Sequence, residues 1–477
     1  MKIQLINSPP LVPQKGGGIS SIYPPLGLLY LASYVRQHYP DIEWKISDGV
    51  LNGYKKTVEE FNQFKPDIVG ISFTTPFATG AYKFIDLIKE YNPEVLVVCG
   101  GVHASAIPNE ILKRSKADIV VVGEGEKSFL DIVSRYAKGK ISEDIGKIIY
   151  SPQIENIDTI PFPARDLIYI KQYSGYHLRE KSPETDIISS RGCPYNCHYC
   201  SNPVWRVEKP SSKYPWCRLR SPQNYVDEIQ FLYEKYGIRE FFDECDEFNV
   251  NLNWSIQVCK EIISRNIDIK WKVQLRVGHV SEELVKLMAK SGCWLVFLGI
   301  ESGNSETLKG INKKISIEQI QQTCELFKKY GIKIFGLLMT FNVWEMEDKL
   351  CYEGVNESLN TLRFAKSLMN NNLLDYLSCT ITTPFPASSL WDTCMKYHLI
   401  PEENYGKWEL WDTNWNLIMK LPNISEKDWI DIRYKGIKLQ ASAGLRNPGQ
   451  LNFRTAKLFM ERCLKALEFR RRYRAKK

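Results

Sequence analysis

Residues Arg191-Gly192-Cys193-Pro194-Tyr195-Asn196-Cys197-His198-Tyr199-Cys200 place three cysteines on a Gly/Pro-rich loop, with three and then two residues between them. The loop follows the apolar run Ile187-Ile188-Ser189-Ser190, so it sits at the end of a strand. Three thiolates can meet there, one short of four. Thiolate is the ligand type of iron–sulfur clusters, and a four-iron cluster held by three cysteines keeps one iron open. A zinc site would recruit Cys217 or His198 as its fourth ligand. A disulfide would need an oxidising compartment, for which the chain gives no sign.

At 477 residues the chain is long enough for two or three domains, and its 44% apolar and 25% charged content is that of a globular protein. Met1 to Pro9 lacks the apolar core of a signal peptide, and no apolar run approaches the roughly twenty residues of a membrane helix. A cytoplasmic protein without a membrane span is expected. Its 13 cysteines are then reduced thiols, and those outside the triplet, such as Cys259, Cys324 and Cys463, are expected as small buried residues. The net charge of +8 is concentrated in the tail Arg470 to Lys477. That run reads as a solvated helix end; contact with RNA is the alternative, and nucleic acid is not the expected partner.

Over residues 1–145, β-like runs at Lys2–Asn7, Ile42–Ser47, Asp67–Phe73, Val95–Cys99 and Ile119–Val122 alternate with amphipathic stretches such as Leu26–His38 and Ala78–Tyr91. This predicts a doubly wound, Rossmann-like parallel sheet with a ligand at its carboxyl edge. The loops at that edge carry a triple glycine at 16–18, then Ser72, Thr74 and Thr75, then Gly100-Gly101-Val102-His103, then Gly123-Glu124-Gly125. Glycine lets backbone approach a bulky ligand, while hydroxyls and amides bond its polar edge. No Gly-x-Gly-x-x-Gly follows the first strand, which weakens a dinucleotide reading.

Residues 146–183 read as a proline-rich connector. Over 184–400, strands are expected at 186–190, 238–244, 270–276, 294–302, 332–340 and 375–383 with helices between or after them, six units of a partial TIM-type (β/α)6 barrel. Polar groups stand at its strand ends. Asp246 and Glu247 follow the second strand, Gln274 and Arg276 point inward from the third, and Glu301 and Ser302 end the fourth. Carboxylates can hold an ammonium group and an arginine a carboxylate. Phe341 and Trp344, after the fifth strand, are expected in the core, with ligand stacking as the sharper reading. Residues 401–477 form a helical carboxy-terminal region. Trp408, Trp411 and Trp415 would share one helix face, packed on the barrel or walling a substrate cavity, and helices are expected at Ser425–Ala443 and Thr455–Arg474.

Together these segments resemble the cobalamin-dependent radical S-adenosylmethionine (SAM) enzymes over about residues 1–400. The cysteine spacing, the aromatic Tyr199 before the third cysteine, the Gly-Gly-x-His turn and the Gly299-Ile300-Glu301-Ser302-Gly303 turn carry the likeness. It implies a [4Fe-4S] cluster on Cys193, Cys197 and Cys200 whose open iron chelates SAM. It further implies SAM contacts from Tyr199, Asp246, Glu247, Gln274, Arg276, Glu301 and Ser302. Cobalamin would meet Ser72, Thr74, Thr75, Gly100, Gly101, His103, Gly123, Glu124 and Gly125. The Asp-x-His-x-x-Gly motif that ligates cobalt from below elsewhere is absent, since Gly49-Val50-Leu51 follows Asp48; His103 is expected to fix a loop or touch the corrin. The implied activity is C-methylation of a small-molecule intermediate through a 5′-deoxyadenosyl radical and methylcobalamin, with electrons from a ferredoxin or flavodoxin. A cyclase or ring-rearranging enzyme without methyl transfer, or an RNA-modifying radical enzyme, are the alternatives.

Overall fold

The computed structural model describes residues 1–10, 23–141, 146–173, 175–206, 216–411 and 416–447, with single positions at 460, 464 and 467. The triple glycine, Trp415, the second carboxy-terminal helix and the basic tail lie outside the described residues, apart from those single positions.

Six strands form the first sheet, all in parallel: β1 (Lys2–Asn7), β2 (Glu43–Asp48), β3 (Ile68–Ser72), β4 (Leu96–Gly100), β5 (Ile119–Val122) and β6 (Ile148–Tyr150), ordered β2-β1-β3-β4-β5-β6. Alternate side chains go to opposite faces. Ile3 and Leu5 join a core with α1 (Leu26–Arg36) and α6 (Glu126–Ala137). Ile6 joins the other, with α2 (Gly49–Phe64), α3 (Ala78–Tyr91), α4 (Val102–Ala106) and α5 (Pro108–Arg114). The strand order reverses between β1 and β3, which opens a crevice at the carboxyl edge. At the end of β2, Asp48 accepts the Val50 and Leu51 amides and caps α2. β6 corrects the expectation for 146–183: three residues pairing with β5 are too few to show a period of two.

The second sheet is also parallel and runs in chain order. It comprises β7 (Glu184–Ile187), β10 (Glu240–Asp243), β11 (Lys270–Leu275), β12 (Cys293–Glu301), β13 (Lys333–Thr340) and β16 (Tyr376–Ile381). A short ribbon, β8 (Ser190–Arg191) with β9 (Arg218–Leu219), follows β7; a hairpin, β14 (Val343–Met346) with β15 (Lys349–Tyr352), follows β13. The helices are α7 (Pro222–Tyr236), α8 (Leu252–Ser264), α9 (Glu282–Lys290), α10 (Ser305–Gly310), α11 (Ile317–Lys329), α12 (Val355–Asn370), α13 (Ser389–Lys396) and α14 (Glu426–Leu445). Serines placed before α7, α9, α11 and α14 accept their first free amides, so each helix starts where its cap stands. β7 and β16 are the two edges and do not pair, leaving the barrel incomplete. α14 packs on β16, close enough that a Cβ added at Gly436 would stand 3.2 Å from the Cys379 sulfur.

Trp408 and Trp411 depart from expectation. Trp408 opens and Trp411 follows a single turn, Trp408–Leu410, and both are fully buried in the core of the first sheet's α3–α5 layer. The Trp408 indole lies 5.2 Å from the His103 ring and donates to Glu110 at 2.6 Å, while Trp411 donates to the Pro384 carbonyl at 2.9 Å. The carboxy-terminal region thus straps the two sheets together. Phe341 and Trp344 are also core: Phe341 is fully buried, and Trp344 lies against Gly310, where an added Cβ would meet the indole at 2.3 Å. Among the described residues no helix is long and apolar enough to cross a membrane.

The barrel floor is ionic. Lys272, fully buried, stands 2.6 Å from Glu184 and 2.8 Å from Glu240, and Glu240 also accepts from the Trp294 indole and the Glu180 and Lys181 amides. Removing one partner of such a set leaves bare charge in a low dielectric, so Lys272→Ala should cost roughly 3–5 kcal/mol. A fall in the thermal or urea midpoint checks this, and most of it should return when Glu184→Gln and Glu240→Gln are added to the same chain. An unchanged midpoint in the single variant would refute the account.

Candidate functional site

The carboxyl edge of the first sheet and the start of the cysteine loop enclose one cavity of about 410 Å3. Its first wall is bare backbone, from Gly100 and Gly101 after β4 and Gly123 and Gly125 after β5, with Ser72 beside them. Gly101 needs its glycine: φ is +92°, and a Cβ would lie 2.6 Å from the Ser72 hydroxyl. A Cβ on Gly100 would meet nothing within 4 Å, so the space over it is open. The opposite wall is Arg191 and Gly192, with Glu244 and Asp246 from the end of β10.

Charge clamps the two walls together. Arg191 stands 2.7 Å from Glu126 and 3.4 Å from Glu124, with its guanidinium over the Tyr30 ring at 5.2 Å. Arg218, across the β8–β9 ribbon, pairs with the same Glu124. Burial alone would raise the Glu124 carboxyl, but the two arginines outweigh it and hold the group below its ordinary value. Glu124 is therefore an interdomain anchor as well as a cavity residue. Glu126, Arg191 and Arg218 are functional neighbours that sequence reasoning missed, because their partners lie 65 and 94 residues away.

Three residues expected at this edge stand apart from the cavity lining. Thr74 is exposed. Thr75 and His103 are buried in a relay in which His103 Nδ1 lies 3.1 Å from the Thr75 hydroxyl and Nε2 lies 2.9 Å from the Tyr82 hydroxyl. Burial pushes the His103 pKa down to about 3, so the imidazole is neutral.

Around the cysteines the barrel's strand ends converge. Cys193 lies 3.8 Å from Glu247, and Arg276 lies 3.7 Å from Cys197 with its guanidinium 3.9 Å over the Tyr195 ring. Asn249 fixes this corner by accepting from the Arg276 amide and donating to the Arg276 and His279 carbonyls. Asp246, exposed at the mouth, accepts from the Gly192 amide at 2.8 Å and from Asn202 at 2.6 Å. Burial first, then neighbouring negative charge, pushes the Cys193 and Cys200 thiols up to about 12 and about 11. Ligation of iron would deprotonate them. Among the described residues no three Cys, His, Asp or Glu side chains converge on one ion position, as a mononuclear zinc requires. A four-iron cluster asks each thiolate to take a different iron.

Tyr199 turns inward, donating to Glu301 at 2.8 Å; Lys313 reaches the same carboxylate at 2.8 Å. A register shift between β12 and β13 and a φ of +62° aim Glu301 at this point, a strained placement that the two partners hold. Lys313 carried no sequence signal, since it comes from the turn after α10. Ser302 goes elsewhere: fully buried, it donates to Glu353 at 2.7 Å and joins Thr361 and Asn304. Gln274 is half-buried on the inner face of β11.

Two atoms test whether a ligand fits. Glu247 Oε1 and Arg276 Nη2 are buried without a hydrogen-bond partner, although both side chains are at least nine-tenths buried. An orphaned carboxyl oxygen and an orphaned guanidinium nitrogen, each beside a cysteine of the loop, match the zwitterionic end of an amino acid. The glycine edge likewise matches the face of a broad planar ligand.

Comparison with known proteins agrees with this arrangement. The B12 binding domain family model matches residues 17–133, and the Radical SAM superfamily model matches residues 187–350. An uncharacterized methyltransferase of Pyrococcus horikoshii is 31% identical over 441 residues, covering 90% of this chain and 89% of its own. An anaerobic magnesium-protoporphyrin IX monomethyl ester cyclase of Rubrivivax gelatinosus is 28% identical, covering 79% of this chain and 67% of its own. In fold, the chain is similar to the radical SAM methyltransferase TsrM of Kitasatospora setae, solved with cobalamin and a [4Fe-4S] cluster (TM-score 0.68, 16% identity, 98% and 99% of the two chains). It is similar also to the cobalamin-dependent radical SAM enzyme OxsB (TM-score 0.69, 16% identity, 96% and 70%). With both domain models in tandem and a relative aligned over nine-tenths of its length, the chain belongs to the radical SAM enzymes that carry an amino-terminal B12-binding domain.

Proposed function

We propose that the enzyme methylates an unactivated carbon of a small-molecule biosynthetic intermediate. The observation that carries the reading is the shared wall: Gly192 lines the cavity on the glycine edge and directly precedes Cys193. A cobalamin in that cavity and a cluster on Cys193, Cys197 and Cys200 would face one reaction space. When bound, the cluster supplies the electron that cleaves SAM, and cobalamin supplies the methyl group.

The chain's own residues bind and orient. Glu247 would take the SAM ammonium and Arg276 its carboxylate, each through a charge-assisted bond that also satisfies an orphaned atom. Half-buried Tyr199 with buried Glu301 and Lys313 forms a set beside the third cysteine that would bond ribose hydroxyls. The glycines of the sheet edge admit the corrin, and the Arg191 clamp keeps its cavity against the cluster loop. Such an enzyme would work in the reducing cytoplasm with a one-electron donor. Ring closure without methyl transfer is the second reading, because cyclases stand among the relatives.

Product stoichiometry separates the two. Methylation yields S-adenosylhomocysteine together with 5′-deoxyadenosine, from the two SAM molecules used per turnover. If labelled turnover yields only 5′-deoxyadenosine, methylation is refuted; Cys193→Ala should yield neither product. Glu247→Gln and Arg276→Gln should each weaken SAM binding about 10-fold or more, the loss of one charged hydrogen bond, with cluster absorbance kept. Unchanged affinity in either would remove that residue from the site. Gly100→Leu puts a side chain into open space, so it should fold normally and take up far less than the one cobalamin per chain expected of the parent. Full uptake would place the cofactor elsewhere.

A further inference from the structure

Of the eight residues from Cys193 to Cys200, only Asn196 is exposed; the others are half-buried against the barrel. Its carbonyl accepts from Asn312 at 2.8 Å, and its side chain from Arg206. Asn312 lines a shallow open groove of about 490 Å3 between the end of α10 and the start of α11, with Lys309, Lys314 and Gln319. The turn that makes the groove is specified sharply. Asn312 and Lys314 both take positive φ, +55° and +54°, so Lys313 points in to Glu301 beside Tyr199 while exposed Lys314 belongs to the groove lining. One turn thus touches the interior of the cluster site and its outer surface.

The groove's charge is unmatched. Lys309 and Lys314 are exposed and make no ion pair among the described residues, whereas Lys328 and Lys329 on α11 are paired with Asp375 and Glu282. The groove lining holds no carboxylate; Glu306 and Glu318 are exposed on the two helices outside it. Arg206 adds a third cation at the loop apex.

We propose that this groove, with the Asn196 apex, is the docking surface for an acidic one-electron carrier protein. The inference rests on the proposed function, which requires one electron to enter the cluster for each SAM cleaved, the carrier being oxidised by one electron. The exposed apex puts a partner seated here one loop thickness from the cysteines. Opposite charge on that partner would steer the encounter, an effect of 10-fold or more on association that salt weakens.

The test uses the full-length holoenzyme with two reductants. A flavodoxin reduced by its NADPH-dependent reductase must dock; dithionite needs no protein surface. Lys309→Glu combined with Lys314→Glu should lower kcat/KM for reduced flavodoxin about 10-fold at low ionic strength and flatten its salt dependence. Dithionite-driven SAM cleavage and cluster absorbance should stay at the parent's level. An unchanged flavodoxin rate in the double variant overturns the proposal, as does a parent enzyme that flavodoxin cannot drive although dithionite does. If the double variant loses cluster absorbance, Lys309→Gln and Lys314→Gln replace it and must show the same selective loss. A parent enzyme that cleaves no SAM even with dithionite refutes the functional reading instead, so the two failures are distinct.

Discussion

Two parallel sheets are held in register by a few buried charges. Arg191 precedes Cys193 by two residues and is gripped by Glu124 and Glu126 from the first sheet's edge, with Arg218 completing the set. Ion pairs in water contribute little, but these are largely removed from it, and breaking one would strand its partner. The cavity wall and the cysteine loop are therefore one mechanical unit. A second buried set, Glu228 between Arg165 and Arg220, repeats the device, tying the connector to the first barrel helix and to the carbonyls of Asp186 and Ile188.

The strands were legible because buried parallel strands are short apolar runs, and ten of the twelve main-sheet strands overlap expected ranges closely at both ends. β6 escaped because three residues cannot display a period. The hairpin β14–β15 escaped because Val343 to Tyr352 alternates charge and apolarity around a turn without glycine, made instead by Glu347 and Asp348 at positive φ.

The candidate site was legible where chemistry is local and obscure where it depends on distance. That the cysteines, Glu247 and Arg276 lie together is readable from their positions at strand ends. Lys313 is not, because its approach to Glu301 depends on two left-handed residues in a turn. Ser302 misled for the complementary reason: a hydroxyl in the Glu-Ser pair suggests a ribose contact, but Glu353, fifty-one residues on, supplies a buried acceptor. His103 lies in a glycine turn at the ligand edge, yet Tyr82 and Trp408 draw it into the packing behind.

The position of Trp408 and Trp411 bears on how the chain is made. Chains leave the ribosome amino end first, and domains fold as units while synthesis proceeds. Here the first sheet emerges with its α3–α5 layer unfinished, lacking the two indoles that complete it. They arrive only after the whole barrel has been translated. The order of synthesis thus leaves that layer open until the end, and the step that completes the first domain's core is also the step that ties it to the segment following the last barrel strand.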